Sequence, residues 1–225
     1  MGRALSSPFN HGPTLVTHAP LQNRVLPTGE IVSASFRGTF TGNRGILDLD
    51  AQGRLGTSRW KHKHWIICDL VHPRGRYHGP RPARGWTPLF FIDEAIALAA
   101  GHRPCAYCRP KAYRAWVKAW SRAHGGSSGH KEIDMALHSA RVTRARTQIR
   151  HEAVLRDLPD YVFVLYRDQP HLVFNRSLYP FESGAYGSAV ALPFDARQAT
   201  VLTPHPTLAV LAAGYEPETC SIPDG

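Results

Sequence analysis

Asp93-Glu94-Ala95-Ile96-Ala97-Leu98-Ala99-Ala100-Gly101-His102-Arg103-Pro104-Cys105-Ala106-Tyr107-Cys108-Arg109-Pro110 is the stretch that decides how this chain folds. Asp93 is a natural N-cap for a short apolar helix over residues 94–100, and Gly101 suits the left-handed position that ends one. Pro110 has the preset backbone for the first position of a second helix. There Tyr113, Trp116, Val117 and Trp120 recur at helical spacing, which predicts a core-facing stripe. Between the two helices lies Cys105-x-x-Cys108. A thioredoxin-type redox pair would directly follow a strand in a βαβ unit. A pair set between helices in a basic region reads instead as half of a metal site.

A structural zinc site needs four donors. Cys68 is the obvious third, and His72 follows it after three residues, so two local pairs can close a tetrahedron. His102, three residues before Cys105, competes for the fourth place, and Cys220 in the tail is the weakest candidate. The expected ligand set is Cys68, His72, Cys105 and Cys108 around one zinc ion. The bland alternative is four unrelated buried thiols.

Working outward, residues 1–29 carry Pro, Gly, Ser and His without a period and read as an irregular arm. Residues 31–40 read as a strand, ended by the turn Thr41-Gly42-Asn43-Arg44-Gly45. Ile46, Leu47 and Leu49 predict a second strand, with Asp48 and Asp50 on its other face. Residues 65–71 form a short apolar strand that carries Cys68. Residues 74–84 are a Gly/Pro/Arg loop. The run His124-Gly125-Gly126-Ser127-Ser128-Gly129 is the clearest linker. Beyond it, Ile133, Leu137 and Ala140 give a helical stripe, residues 161–166 and 171–175 a hairpin, residues 199–202 a strand, and residues 206–213 a helix closed by Gly214. The architecture is α+β: an arm at 1–29, a zinc-stabilised part at 30–123, a linker at 124–130 and a smaller mixed part at 131–225.

Composition speaks about partners. The chain has 225 residues, 43% of them hydrophobic, enough for a core of its own. Lys and Arg number 27 against 17 acids. Between Arg54 and Arg122 fourteen basic residues face three acids, interleaved with eight Trp and Tyr side chains. Arginines that hold phosphates beside rings that stack on bases suit DNA. The expected contacts are Arg44, Arg59, Lys61, Lys63, Arg74, Arg76, Arg81, Arg84, Arg103 and Arg109, with no obligate protein partner. No apolar run approaches the ~18–20 residues of a membrane span. The first twenty residues lack a signal-peptide core, so a cytoplasmic protein is expected. Four cysteines are too few for a disulfide scaffold.

The helix, the Ala-Ala-Gly that ends it, Arg103-Pro104-Cys105 and Cys108 together resemble the second half of the Ada-type metal-binding domain, over residues 60–122. The resemblance implies a zinc-stabilised DNA-binding element. It also implies that Cys68 takes the place of a cysteine that accepts a methyl group from a DNA phosphotriester. That family has a second cysteine where this chain has His72. Three thiolates and an imidazole carry less negative charge than four thiolates, which makes the bound sulfur a poorer nucleophile.

Other chemistry is sparsely provided. A two-metal nuclease needs several convergent carboxylates, and no such pattern is evident. His62 and His64 lack the His–Asn–His order of an HNH-like nuclease. A DNA glycosylase asks for less: one carboxylate, a basic cradle and aromatic walls for an extruded base. The turn around Asn43 can supply amides for a phosphate, Asn43 a base-edge contact, and Asp48 or Asp50 the carboxylate. The expected function is a zinc-containing protein acting on modified or damaged DNA, foremost a glycosylase. The alternatives are methyl acceptance at Cys68 and a non-enzymatic DNA reader or regulator.

Overall fold

Phe40–Asn43 (β3) lies between two antiparallel partners in the computed structural model, which describes residues 19–71, 85–193 and 195–223. Those partners are Ile66–Asp69 (β4) and Leu89–Phe91 (β5). Gln22–Val25 (β1) pairs parallel with β5, and Ile31–Ser33 (β2) closes that edge. Arg103–Pro104 (β6) runs parallel to β4 at the other edge. The order is β2-β1-β5-β3-β4-β6. A glycine stands in the middle of β3 for a steric reason. A Cβ on Gly42 would come within 2.4 Å of the Phe91 ring.

The second sheet comprises His151–Val154 (β7), Val162–Tyr166 (β8), Gln169–Phe174 (β9), Ser177–Glu182 (β10), Ala185–Tyr186 (β11), Val190–Ala191 (β12) and Gln198–Val201 (β13). Its order is β11-β10-β9-β8-β13-β7, with β12 beside β10. Arg167-Asp168 and Asn175-Arg176 hold positive φ at both positions, the geometry of tight two-residue hairpins whose twist matches that of the strands. The helices are Glu94–Ala99 (α1), Pro110–His124 (α2), His130–Arg141 (α3) and His205–Ala212 (α4). Asp93 caps α1 by accepting from Ile96 N–H at 3.0 Å, and Pro110 opens α2.

The α+β reading therefore stands, with three local corrections. The supposed arm contains β1, because Asn23 and Val25 turn inward on a strand too short and polar to show a pattern. The strand expected over residues 31–40 is two strands, β2 and the start of β3, and the turn expected from Thr41 begins only beyond Asn43, because Thr41 and Gly42 pair with both β4 and β5. Residues 46–50 are irregular rather than a strand, with one isolated bridge, Leu49 to Leu55, and turn hydrogen bonds to residues 52–56. Leu47 is nonetheless buried while Asp48 and Asp50 face out, as the alternation predicts.

The glycine-rich segment separates α2 from α3 along the chain without dividing the core. One buried cluster runs from Val25 through α1, Trp116 and the second sheet to Tyr215. Polar groups cross the same boundary. Asp93 accepts from Tyr186 Oη at 2.8 Å, and Glu94 from Tyr215 Oη at 2.6 Å. Arg103 on β6 donates twice to Asp134 on α3, at 2.8 and 2.7 Å, with both side chains buried. Removing one member strands the other without water. Asp134→Ala is therefore expected to cost about 3–5 kcal/mol, read as a lower urea midpoint at unchanged slope. Stability equal to wild type would show that the pair does not hold α3.

Candidate functional site

Three sulfurs meet where β4 lies against β6. The parallel pairing sets Ile66 opposite Arg103 and Ile67 opposite Pro104. Cys105 N–H then donates to Ile67 C=O at 2.9 Å, which places the knuckle beside Cys68. Arg109 N–H donates to Cys105 C=O at 3.0 Å and turns the knuckle into α2. The sulfurs of Cys68, Cys105 and Cys108 all lie within 4.8 Å of one another, and all three residues are buried. The three thiols lie within hydrogen-bonding reach of one another. Hydrogen bonding from Cys108 and Cys68 holds Cys105 far below the ordinary thiol value, while bonding to Cys105 pushes both partners up. Thiolate is the ligating form, so a metal ion replaces the thiol protons. The cluster is thus a site able to hold a metal ion.

Among the described residues no fourth histidine, cysteine or carboxylate joins this group. His72 lies outside the described residues. His102, the competing fourth ligand, turns the other way. It is fully buried, accepts from Arg44 Nε at 3.1 Å and meets the Phe91 ring edge-on at 4.7 Å. Burial first, then Arg44 and Arg141, hold it neutral, well below the ordinary imidazole value. Cys220 sits apart, its backbone N–H donating to Asp93.

The basic residues divide by burial, and three of the expected DNA contacts, Arg44, Arg103 and Arg109, lie inside the fold rather than on its outer surface. Arg44 stacks on the Trp65 indole at 3.8 Å, 2% exposed. Arg103 is engaged by Asp134. Arg109 pairs with Glu94 at 3.0 Å, Asp69 at 3.1 Å and Glu218 at 2.6 Å. Arg103 and Arg109, paired with carboxylates inside the fold, are committed to packing, whereas Arg44 has no carboxylate partner among the described residues and lines an inner cavity. Lys61 and Lys63 are exposed and Arg59 is partly so. Arg74, Arg76, Arg81 and Arg84 lie outside the described residues.

The turn before Asp48 satisfies itself. Asn43 Oδ1 accepts from Gly45 N–H at 2.8 Å and lies 3.2 Å from His62 Nε2, so that oxygen is already engaged. His62 in turn stacks on His64 at 3.6 Å. Asp48 is exposed and 3.8 Å from Lys61 Nζ. Asp50 closes the next turn, accepting from the backbone of Gln52 and Arg54 and pairing with the Arg54 guanidinium. The Arg54 backbone bond, above all, pulls its pKa down, which suits a turn-forming carboxylate better than a proton donor.

Beside the sulfur cluster runs an open groove of about 820 Å³. Lys63, His64, Lys131, Tyr107 and Tyr113 line it, and among the described residues the one carboxylate on it, Asp134, is already bound by Arg103. Tyr107 and Met135 are 56% and 60% exposed at this site. Residue spacing gave no sign of the groove, because α3 reaches it from beyond the linker. Comparison with family models, with curated proteins and with solved structures returned no match to this chain. No helix among the described residues is long and apolar enough to cross a membrane.

Purified protein is expected to carry about one metal ion per chain, the count a single four-donor site implies. Cys105→Ala is expected to lose the ion and lower the unfolding temperature, since binding and local folding are coupled. Metal analysis with thermal scans checks this. A metal-free wild type as stable as the ion-treated protein would refute it.

Proposed function

We propose that the chain is a zinc-containing DNA-binding protein that acts on modified or damaged DNA as a glycosylase. The observation that carries the reading is the groove beside the sulfur cluster. It sets lysines for phosphates next to tyrosine rings for exposed bases, and the acid among its described lining residues, Asp134, is neutralised from within. Zinc is the proposed ion because three thiolates in a structural corner match its preference for sulfur in a closed tetrahedron, and His72 is the proposed fourth ligand. The likeness to the Ada-type element supports the same assignment. Zinc here would tie β4 to the start of α2 and stiffen the wall of the groove.

Burial weighs against methyl transfer at Cys68, which is 1% exposed and lies beneath its neighbours. A phosphotriester must reach the sulfur in line, and this sulfur faces the other two. For base excision, Asp48 and Asp50 follow the Asn43 turn within a few residues, and both are accessible. Glu30 is a further candidate, lining a separate arginine-rich cavity. The non-enzymatic reader is favoured by one fact: Asp50 is already committed to its own turn.

Two measurements test the reading. Lys63→Ala with Lys131→Ala, the two lysines on the groove, is expected to weaken DNA binding and reduce the log–log salt slope by about two, one per lost phosphate contact. An unchanged slope would remove the groove from the interface. Incubation with base-modified DNA followed by alkali is expected to yield strand breaks only after alkali, the mark of abasic sites. Their loss in Asp48→Asn, Asp50→Asn or Glu30→Gln, with binding intact, names the carboxylate. Binding with no alkali-labile sites on any modified substrate would leave the reader.

A further inference from the structure

Two arginines lie in the interior without a carboxylate partner among the described residues. Arg44 and Arg141 are 2% and 1% exposed, and both stack on the Trp65 indole, at 3.8 and 3.9 Å. Their polar contacts are neutral. Arg44 donates to His102 and, at 3.5 Å, to Ala100 C=O. Arg141 donates to Gly101 C=O at 2.7 Å, to Lys63 C=O and to His138 Nδ1. The Ala100 and Gly101 carbonyls close the C-terminal end of α1. A helix end supplies only about half a negative charge, against two full positive ones. Burial and mutual repulsion accordingly push Arg141 well below the ordinary guanidinium value, and burial, with help from Arg59, pushes Arg44 to about 9. His138 is pushed to about 4, by burial and then by Arg141 and Lys63, so it stays neutral and adds no charge of either sign.

Both guanidiniums line one cavity of about 460 Å³, within the ~300–1,000 Å³ of small-ligand sites. Arg59, Arg146 and Arg150 stand around it, and among the described residues Glu30 is the one carboxylate on its wall. Trp60 and Trp65 supply aromatic faces, their rings 5.6 Å apart. Two polar atoms at this cavity are buried and unpartnered: Arg141 Nε, a donor, and Gln148 Oε1, an acceptor. The Gln148 amide nitrogen is fixed by Pro27 C=O at 2.9 Å and Ala99 C=O at 3.1 Å, which orients the oxygen. A missing anion, an aromatic wall and an unpaired acceptor describe a ligand with three parts: an oxyanion, a flat ring and a hydrogen-bond donor.

We infer that this cavity binds a nucleoside monophosphate unit, its phosphate held by the Arg44–Arg141 pair and its base placed against Trp60. Arg59 and Arg150 neutralise the outer phosphate oxygens, and Gln148 Oε1 accepts from a ring N–H or sugar hydroxyl. The phosphate can come from a free nucleotide or from one extruded from a nucleic-acid chain. The inference rests on the DNA reading above only for that second source.

Calorimetric titration of the whole protein with dTMP, thymidine and inorganic phosphate tests it. Binding of dTMP at least about 100-fold tighter than thymidine is expected, as two charge-assisted contacts imply. It should also exceed that of phosphate alone and quench tryptophan emission. Arg59→Ala and Arg150→Ala, both outside the interior, should each weaken dTMP by roughly tenfold. Trp60→Ala should erase the advantage of dTMP over phosphate while phosphate binding persists. Equal affinity for dTMP and thymidine, or for dTMP and phosphate, overturns the inference. So does dTMP binding unmoved in both arginine variants. Competition of dTMP by a 5′-phosphorylated oligonucleotide, and not by its unphosphorylated form, assigns a chain-end phosphate as the source; competition by both assigns an internal, extruded nucleotide; competition by neither assigns free nucleotide. The two readings fail separately. DNA binding without dTMP binding overturns this inference alone, and dTMP binding without DNA binding overturns the DNA reading alone.

Discussion

The parallel pairing of β4 with β6 is the constraint on which the rest depends. Only two residue pairs make it, Ile66 with Arg103 and Ile67 with Pro104. Sequence separates the two strands by more than thirty residues, so loop closure must be offset by what the pairing brings together. It brings three things. Cys68 meets Cys105 and Cys108 on one side. Trp65 C=O accepts from Arg103 N–H at 3.1 Å, which sets the indole beside His102. The Arg103 side chain is then directed to Asp134, fixing α3 across the boundary set by the linker. A metal ion at the sulfurs would act as a clamp at the same place, closing a long loop without demanding a larger core.

Charge in this protein is arranged in depth. The outer cations, Lys61, Lys63 and Lys131, stay in water and cost little. Arg103 and Arg109 are buried with carboxylates and serve packing. Arg44 and Arg141 are buried on an indole, with carbonyls and neutral imidazoles as their partners. A stacked guanidinium is more weakly hydrated than an ammonium and tolerates such a place better than lysine would. Gly101 is needed for the same reason. It holds φ at +83°, and a Cβ there would come within 2.5 Å of the Arg141 side chain. The end of α1, the buried arginines and the cavity they line are thus one construction.

Much of this was legible in the residues. Asp93, Gly101 and Pro110 marked the helix ends through capping chemistry that acts within a few residues. The two-cysteine knuckle and Cys68 announced a sulfur cluster able to hold a metal ion, because the residue types that can ligate are visible in the sequence itself. The two-residue hairpins of the second sheet were visible in part, at residues 167–170, although β10 was not, since Pro180 and alternating polar residues conceal a strand that packs through Leu178, Tyr179 and Phe181.

What the sequence determined by itself was helix ends, apolar stripes, the sulfur set and the basic balance, all properties of neighbours along the chain. What only the tertiary structure decided was which charges face water. Arg44, Arg103 and Arg109 looked like their neighbours in a basic run, yet each is buried by a partner distant along the chain: Trp65 and His102, Asp134, or Glu94 with Glu218. The same distance hid His102, which spacing offered as a ligand and packing assigned to Arg44. Composition counts a cation wherever it stands. Its free energy depends on desolvation and on the groups folded against it, and those are set when β4, β6 and α3 come together.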